Sequence, residues 1–112
     1  MPEQKIDEET ARRIQELQFL EQNLQNLLLQ KQVFQVEAND TDNALSEIKE
    51  TKDDVYKIVG QVMLKAKKEN LSKELKRKKE VLQLRIKAIE KQEQFFREKL
   101  EKTRSIVMSK LK

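Results

Sequence analysis

The chain of 112 residues contains no cysteine, no histidine and no tryptophan, and only one glycine and one proline. The absence of cysteine and histidine excludes disulfide bonds, thiolate or imidazole metal ligands, cysteine nucleophiles and the usual general base. A phosphate-binding loop or a dinucleotide fingerprint needs several glycines, because the backbone must approach the ligand closely. We therefore expect no enzymatic activity, no metal and no cofactor.

Long apolar runs are also missing, since none exceeds three residues. A helix that spans a membrane needs about 20 consecutive apolar residues. The first nine residues are acidic and lack an apolar stretch, which is unlike a signal peptide. These features predict a protein without membrane contact in a reducing, cytoplasmic setting.

Charge is abundant and unevenly distributed. Charged residues make up 39% of the chain and hydrophobic residues 37%. Residues 1–64 carry 7 Lys/Arg against 13 Asp/Glu, a net charge of −6, whereas residues 65–112 carry 17 against 7, a net charge of +10. An acidic first half beside a basic second half favours antiparallel pairing within one chain over parallel pairing of identical segments.

Two stretches have apolar residues at alternating spacings of three and four, a heptad pattern that predicts a narrow seam between paired helices. The first seam comprises Leu17, Leu20, Leu24, Leu27, Lys31, Phe34, Ala38, Thr41, Leu45 and Ile48. The second comprises Leu75, Lys79, Leu82, Ile86, Ile89, Glu93, Phe96, Leu100, Thr103 and Val107.

The heptads predict two helical arms, residues 6–50 and 68–112, that pair antiparallel so that residue i lies near residue 118−i. Asn39–Asn43 contains five poor helix formers. The seam continues through this stretch, so we favour a continuous helix over a flexible joint. Because the apolar residues lie in seams and not in a central cluster, we expect one elongated, mainly α domain that assembles with other chains.

Residues 53–66 interrupt the heptads and are rich in β-branched residues, which predicts a β-hairpin with Gly60 at the turn. By simple alternation we place Tyr56, Ile58, Val62 and Leu64 on one apolar face. This face either packs on the helices of its own chain or joins hairpins from other subunits in a shared sheet or barrel. We favour the second interpretation, because a lone hairpin leaves two edges unpaired.

The hairpin sequence from Val55 to Lys65 and the stretch from Leu82 to Glu93 resemble prefoldin β subunits, and the archaeal type fits best. The first helix resembles the family more loosely, through residues 27–34 and 44–48. The resemblance implies a hexamer of two α and four β subunits in which the hairpins form β-barrels that carry the coiled-coil arms. It also implies that the arm tips hold unfolded client proteins and pass them to a group II chaperonin without ATP.

Capture of unfolded proteins requires apolar surface that the seam does not use. We predict a client-binding tip at the arm ends, composed of Ile6, Ile14, Phe19, Phe95, Ile106, Met108 and Leu111. A second set lies mid-arm, where we favour packing against a neighbouring subunit over a client-facing wall. It comprises Leu29, Val33, Val36, Val81, Leu84 and Ala88.

Two alternatives remain, a coiled-coil scaffold or tether and a nucleic-acid-binding protein. The second arises from a basic run, and Lys76–Lys79 is more basic than the resemblance leads us to expect. The run comprises Lys65, Lys67, Lys68, Lys73, Lys76, Arg77, Lys78 and Lys79. We expect no nucleic-acid partner, because no aromatic residue is interleaved for base stacking and the helical pairs Glu69–Lys73 and Glu74–Lys78 should neutralise part of the charge.

Overall fold

The computed structural model describes residues 7–111, which form two long α-helices separated by two short β-strands. Helix α1 is Glu8–Glu50, strand β1 is Val55–Val59, strand β2 is Val62–Ala66 and helix α2 is Lys68–Leu111. This order confirms the predicted helix, hairpin, helix plan. None of the helices in the described part of the chain is long and apolar enough to cross a membrane.

Local hydrogen bonds explain the course of α1. Asp7 caps its N-terminus, because the Asp7 Oδ1 atom accepts a hydrogen bond of 2.7 Å from the Thr10 backbone amide. The helix runs without a break through Asn39–Asn43, as predicted. Within this stretch the buried Thr41 hydroxyl donates to the Glu37 carbonyl at 2.7 Å, so a poor helix former is accommodated without an unsatisfied polar group.

The chain comprises two compact units. One, called the two-helix unit below, contains the described residues through Lys31 and from Ala88 onward. The other, called the hairpin unit, is Gln32–Lys87. The expectation that the chain folds as one domain stays a prediction.

In the two-helix unit, the segments of α1 and α2 pair antiparallel. Ion pairs join Glu16 to Lys99 at 3.9 Å and Glu21 to Arg104 at 3.6 Å. The residue numbers of these pairs sum to 115 and 125, on either side of the predicted 118. The apolar seam supplies most of the stabilisation, since each buried leucine contributes about 1.5–3 kcal/mol. The buried apolar residues are Leu20, Leu24, Ile89, Leu100 and Val107.

In the hairpin unit, the two helix segments also pair antiparallel, and Asp42 contacts Lys79 at 2.6 Å. Lys68, the first residue of α2, donates a hydrogen bond of 2.6 Å to the Thr51 carbonyl just beyond the end of α1. The positive charge of the Lys68 ammonium is stabilised at this position, because the C-terminus of α1 is the negative end of its helix dipole. Ile48, Leu71 and Leu82 are the buried apolar residues of this unit. Across both units, every predicted seam residue is buried or half-buried, which confirms the seam.

The hairpin pairs β1 with β2 antiparallel around the two-residue turn Gly60-Gln61. Gly60 has φ of 61°, and no non-glycine residue in the described ranges has a positive φ, which fits a type II′ turn. Val59 pairs with Val62 and Ile58 with Met63.

The prediction of one apolar hairpin face is wrong. Directly paired residues of an antiparallel ladder point to the same side of the sheet. Because Ile58 pairs with Met63 and Lys57 with Leu64, even-numbered residues of β1 share a face with odd-numbered residues of β2. Tyr56 and Ile58 therefore lie on one face, whereas Val62 and Leu64 lie on the other.

Candidate functional surfaces

The off-seam apolar residues of the two-helix unit are mostly exposed. The exposed fractions are 67% for Phe19, 60% for Phe95, 55% for Met108, 39% for Leu111 and 38% for Ile106. Ile14 is half-buried, and Ile6 lies outside the described residues. These exposures leave apolar area that the seam does not cover.

The heptad positions divide this set between two sides of the two-helix unit. In an antiparallel pair, the g positions of both helices flank one side of the seam and the e positions flank the other. Glu16 and Lys99 are g positions and Glu21 and Arg104 are e positions, and their contacts mark the two sides. Phe19, Phe95 and Ile106 occupy c and g positions on the first side, which we call the g side. Ile14, Met108 and Leu111 occupy b and e positions on the other, the e side.

Phe95 is held in place although it is exposed. Its ring makes an edge-to-face contact with Phe96, with centroids 5.8 Å apart and an angle of 77° between the planes. Phe96 is a half-buried seam residue. Such a contact contributes about 0.5–1.5 kcal/mol beyond the buried area, which favours this orientation of the ring.

The hairpin carries exposed apolar side chains on both faces. On the face of Tyr56 and Ile58, the exposed fractions are 52% and 71%, and Met63 on the same face is 65% exposed. On the opposite face, Val62 is 57% and Leu64 48% exposed. The helices of the unit therefore do not cover the apolar hairpin surface.

Two exposed apolar residues of the hairpin were not among the predicted assembly residues. Met63 completes the face of Tyr56 and Ile58, and Val59, which is 53% exposed, completes the face of Val62 and Leu64. Both were hidden by the assumption that even-numbered residues share a face through the turn. A two-residue turn is the signal that could have revealed them, because it fixes which strand positions are paired.

The predicted mid-arm residues of the hairpin unit are exposed as well. Val33, Val36, Val81 and Leu84 have exposed fractions of 57%, 54%, 42% and 67%. In the two-helix unit, Leu29 is 62% exposed and Ala88 is exposed. Packing of these residues against a neighbouring subunit stays a prediction.

A polar layer interrupts the seam of the two-helix unit. The Lys31 Nζ atom contacts the Glu93 Oε2 atom at 3.2 Å, and Arg97 contacts Glu93 Oε1 at 3.0 Å. The Lys31 and Glu93 side chains are only 22% and 15% exposed. The hydrogen bond from Lys31 has the largest effect and lowers the pKa of the Glu93 carboxyl. Burial raises this pKa and the hydrogen bond from Arg97 lowers it again, so that it lies below its ordinary value.

This lowered pKa predicts an acid-dependent loss of stability. Since Glu93 titrates at lower pH in the folded state than in the unfolded chain, its stabilisation is complete above the unfolded pKa and is lost as pH falls through the folded pKa. We expect Glu93→Gln to lower the free energy of unfolding by about 1–3 kcal/mol at neutral pH, between the values for exposed and buried pairs. The difference from the unsubstituted chain should shrink at pH values below about 4.

Thermal unfolding followed by circular dichroism at several pH values measures this difference. Glu90→Gln is the matched control, because Glu90 is exposed on the same helix and forms no ion pair with a residue that the structure describes. It should leave stability nearly unchanged at every pH. If Glu93→Gln lost as much stability in acid as at neutral pH, the lowered pKa of Glu93 would not be the cause of the loss.

Comparison with known proteins places this architecture in a class of chaperone subunits. The family model described as "Prefoldin subunit" matches residues 11–112. The chain is 39% identical over 92 residues to the prefoldin subunit beta of Archaeoglobus fulgidus, covering 80% of this chain and 79% of that protein. It is 36% identical over 110 residues to the prefoldin subunit beta of Methanospirillum hungatei JF-1, covering 96% and 92%.

The solved structures agree with the sequence relatives. The crystal structure of the prefoldin beta subunit from Thermococcus strain KS-1 superposes with a TM-score of 0.86 at 34% identity and covers 95% of both chains. The chain belongs to the prefoldin subunit family, a family of chaperone subunits. Within that family it is similar to archaeal β subunits, which confirms the resemblance found in the hairpin and in Leu82–Glu93.

Proposed function

We propose that the chain is the β subunit of an ATP-independent holdase, which captures unfolded proteins through the ends of its helical arms and passes them to a group II chaperonin. The partner for assembly is a prefoldin α subunit, in a hexamer of two α and four β subunits. The proposal is supported by membership of the prefoldin family and, above all, by the exposed apolar side chains of the two-helix unit.

Exposed side chains of this kind suit a transient hold on a client. Full burial of one Ile, Phe, Met or Leu side chain contributes about 1.5–3 kcal/mol, and a partly wet contact contributes less. Several such contacts on separate arms act at high effective concentration, so the client is retained by avidity while each contact releases readily. Met108 adds a flexible side chain that adapts to clients of different shape.

Assembly through the hairpin is supported by its uncovered surface. Both faces carry exposed apolar residues, and strand edges that pair with no other described strand offer backbone donors and acceptors to a neighbouring hairpin. Joining the hairpins of several subunits in barrels would pair these strand edges and bury the exposed apolar residues of the hairpin faces.

Truncation tests the site of client binding. We expect that deletion of residues 1–14 and 105–112 leaves the hexamer assembled, because the hairpin is untouched, and sharply reduces suppression of client aggregation with or without ATP. The deletion also removes the buried residue Thr10 and the buried seam residue Val107, so helix content must be checked by circular dichroism. Native mass spectrometry with an α partner measures the assembly. Full suppression by the truncated hexamer would show that clients do not need the deleted ends and would move the client site to Phe19 and Phe95 or to the mid-arm residues.

A further inference from the structure

The ion pairs expected to neutralise the basic run do not form in the structure. Glu69 makes no salt bridge with Lys73 or with any other residue that the structure describes, and Glu74 contacts Lys57 of the hairpin at 3.2 Å instead of Lys78. Lys57, which is distant in sequence, thus takes the place of the helical neighbour Lys78 as the partner of Glu74. One of the two reasons for setting aside a nucleic-acid partner is therefore wrong.

Part of the basic run lines a groove of about 810 Å³ between the two helices of the hairpin unit. Lys68 and Lys79 are engaged with Thr51 and Asp42, at 2.6 Å in each case. The other three lysines of the groove form no ion pair within the described part of the chain. The groove is lined by Asp42, Leu45, Ser46, Lys49, Lys68, Glu69, Ser72, Lys73, Lys76 and Lys79.

The groove lies on the side of the hairpin unit away from the hairpin. Its outer residues, such as Lys49, Lys73 and Lys76, occupy b and e heptad positions. The residues that line the cleft beneath the hairpin, such as Leu71 and Glu74, occupy g and c positions on the opposite side of the seam. Hairpins that assemble with one another would leave the groove open.

We propose that this basic groove binds the phosphate backbone of double-stranded nucleic acid without sequence preference. Its free cations are lysines, which pair with phosphates as point charges. The groove begins at the first turn of α2, and the C-terminus of α1 lies at the same end. The two helix dipoles therefore offset each other there, and the lysines supply the positive charge. From Lys68 to Lys79 the helix rises about 16 Å, a length over which a duplex presents roughly ten negative charges.

The lining of the groove argues against two other anionic partners. Leu45 is its one apolar residue, whereas an acidic helix docked in a groove needs a row of apolar anchors. The groove has no aromatic side chain, so single strands find no surface on which to stack their bases. Contacts to the backbone of a duplex need neither feature.

Fluorescence anisotropy with a labelled duplex of about 20 base pairs tests the proposal over a range of salt concentrations. The groove variant is Lys49→Gln with Lys73→Gln and Lys76→Gln. The matched control is Lys87→Gln with Lys91→Gln and Lys102→Gln, which removes the same charge from exposed α2 lysines outside the groove. Both variants keep the full chain, and circular dichroism checks their folding.

We expect the unsubstituted chain to bind the duplex with a salt slope of about −3 or steeper, and the groove variant to bind at least about tenfold more weakly with a slope reduced by about 2–3. The control should stay within about threefold of the unsubstituted chain. Equal losses in both variants, absence of duplex binding, or tighter binding of a poly-glutamate peptide or a single strand than of the duplex would each overturn the proposal.

Discussion

A chain carrying Ile58→Asp together with Val62→Asp should keep its helices and lose its assembly. Ile58 and Val62 lie on opposite faces of the hairpin and are 71% and 57% exposed. The two substitutions place one carboxylate on each face of the hairpin. In an assembly joined through the hairpins, a carboxylate on a buried face would have no partner, and an unpaired buried charge costs several kcal/mol. Native mass spectrometry in the presence of an α partner should show a shift from the hexamer to monomers and small species.

The pairing register allows the two faces to be tested separately. Ile58→Asp with Met63→Asp alters one face, and Val59→Asp with Val62→Asp alters the other. Gln18→Asp with Gln25→Asp adds the same charge to exposed positions of α1 and is the control for net charge. Circular dichroism should show unchanged helix content in every variant. A full hexamer formed by the Ile58→Asp, Val62→Asp chain would exclude hairpin-mediated assembly.

Replacement of the g-side residues Phe19, Phe95 and Ile106 by serine should remove about half or more of the suppression of client aggregation. This side carries both aromatic residues of the predicted tip, at 67% and 60% exposure. Each lost apolar contact weakens binding on every arm, and avidity multiplies these losses across the assembly. Because all three residues lie off the seam, thermal unfolding should change little.

The e side provides the matched comparison. Ile14→Ser with Met108→Ser and Leu111→Ser removes three apolar residues from the same unit, one of them already half-buried. We expect a smaller loss of suppression from this variant. Val33→Ser with Leu84→Ser in the hairpin unit should have little effect on clients. If that mid-arm variant lost more activity than the g-side variant, clients would bind mid-arm and the tip assignment would be wrong.

The helices and their seam were predictable because a heptad repeat records directly which residues face a partner. Even Lys31 and Glu93 were assigned to the seam from spacing alone, and the structure shows them paired with each other. Antiparallel pairing followed from opposite charge, and three of the four ion pairs between the helices place the acidic residue on α1 and the basic one on α2.

Features that depend on tertiary geometry were not predictable in this way. Glu74 has a helical neighbour of opposite charge in Lys78, but the sequence does not reveal that the hairpin brings Lys57 to the same carboxylate. The division of the predicted tip between two sides was missed for a different reason, because the heptad positions that define the two sides can be read from the sequence. Exposure was judged from the seam alone, without assigning Phe19 and Met108 to the flanks on which they lie.

The two-residue turn at Gly60-Gln61 makes loop length a determinant of surface chemistry in this hairpin. If the turn comprised the three residues Val59-Gly60-Gln61, Ile58 would pair with Val62 and Tyr56 with Leu64, and these four residues would then share a face. Strand composition would be unchanged, yet every side chain of β2 would point to the other side of the sheet. A one-residue change of register would therefore exchange the two surfaces of β2, whereas substitutions within the strands would alter them one residue at a time.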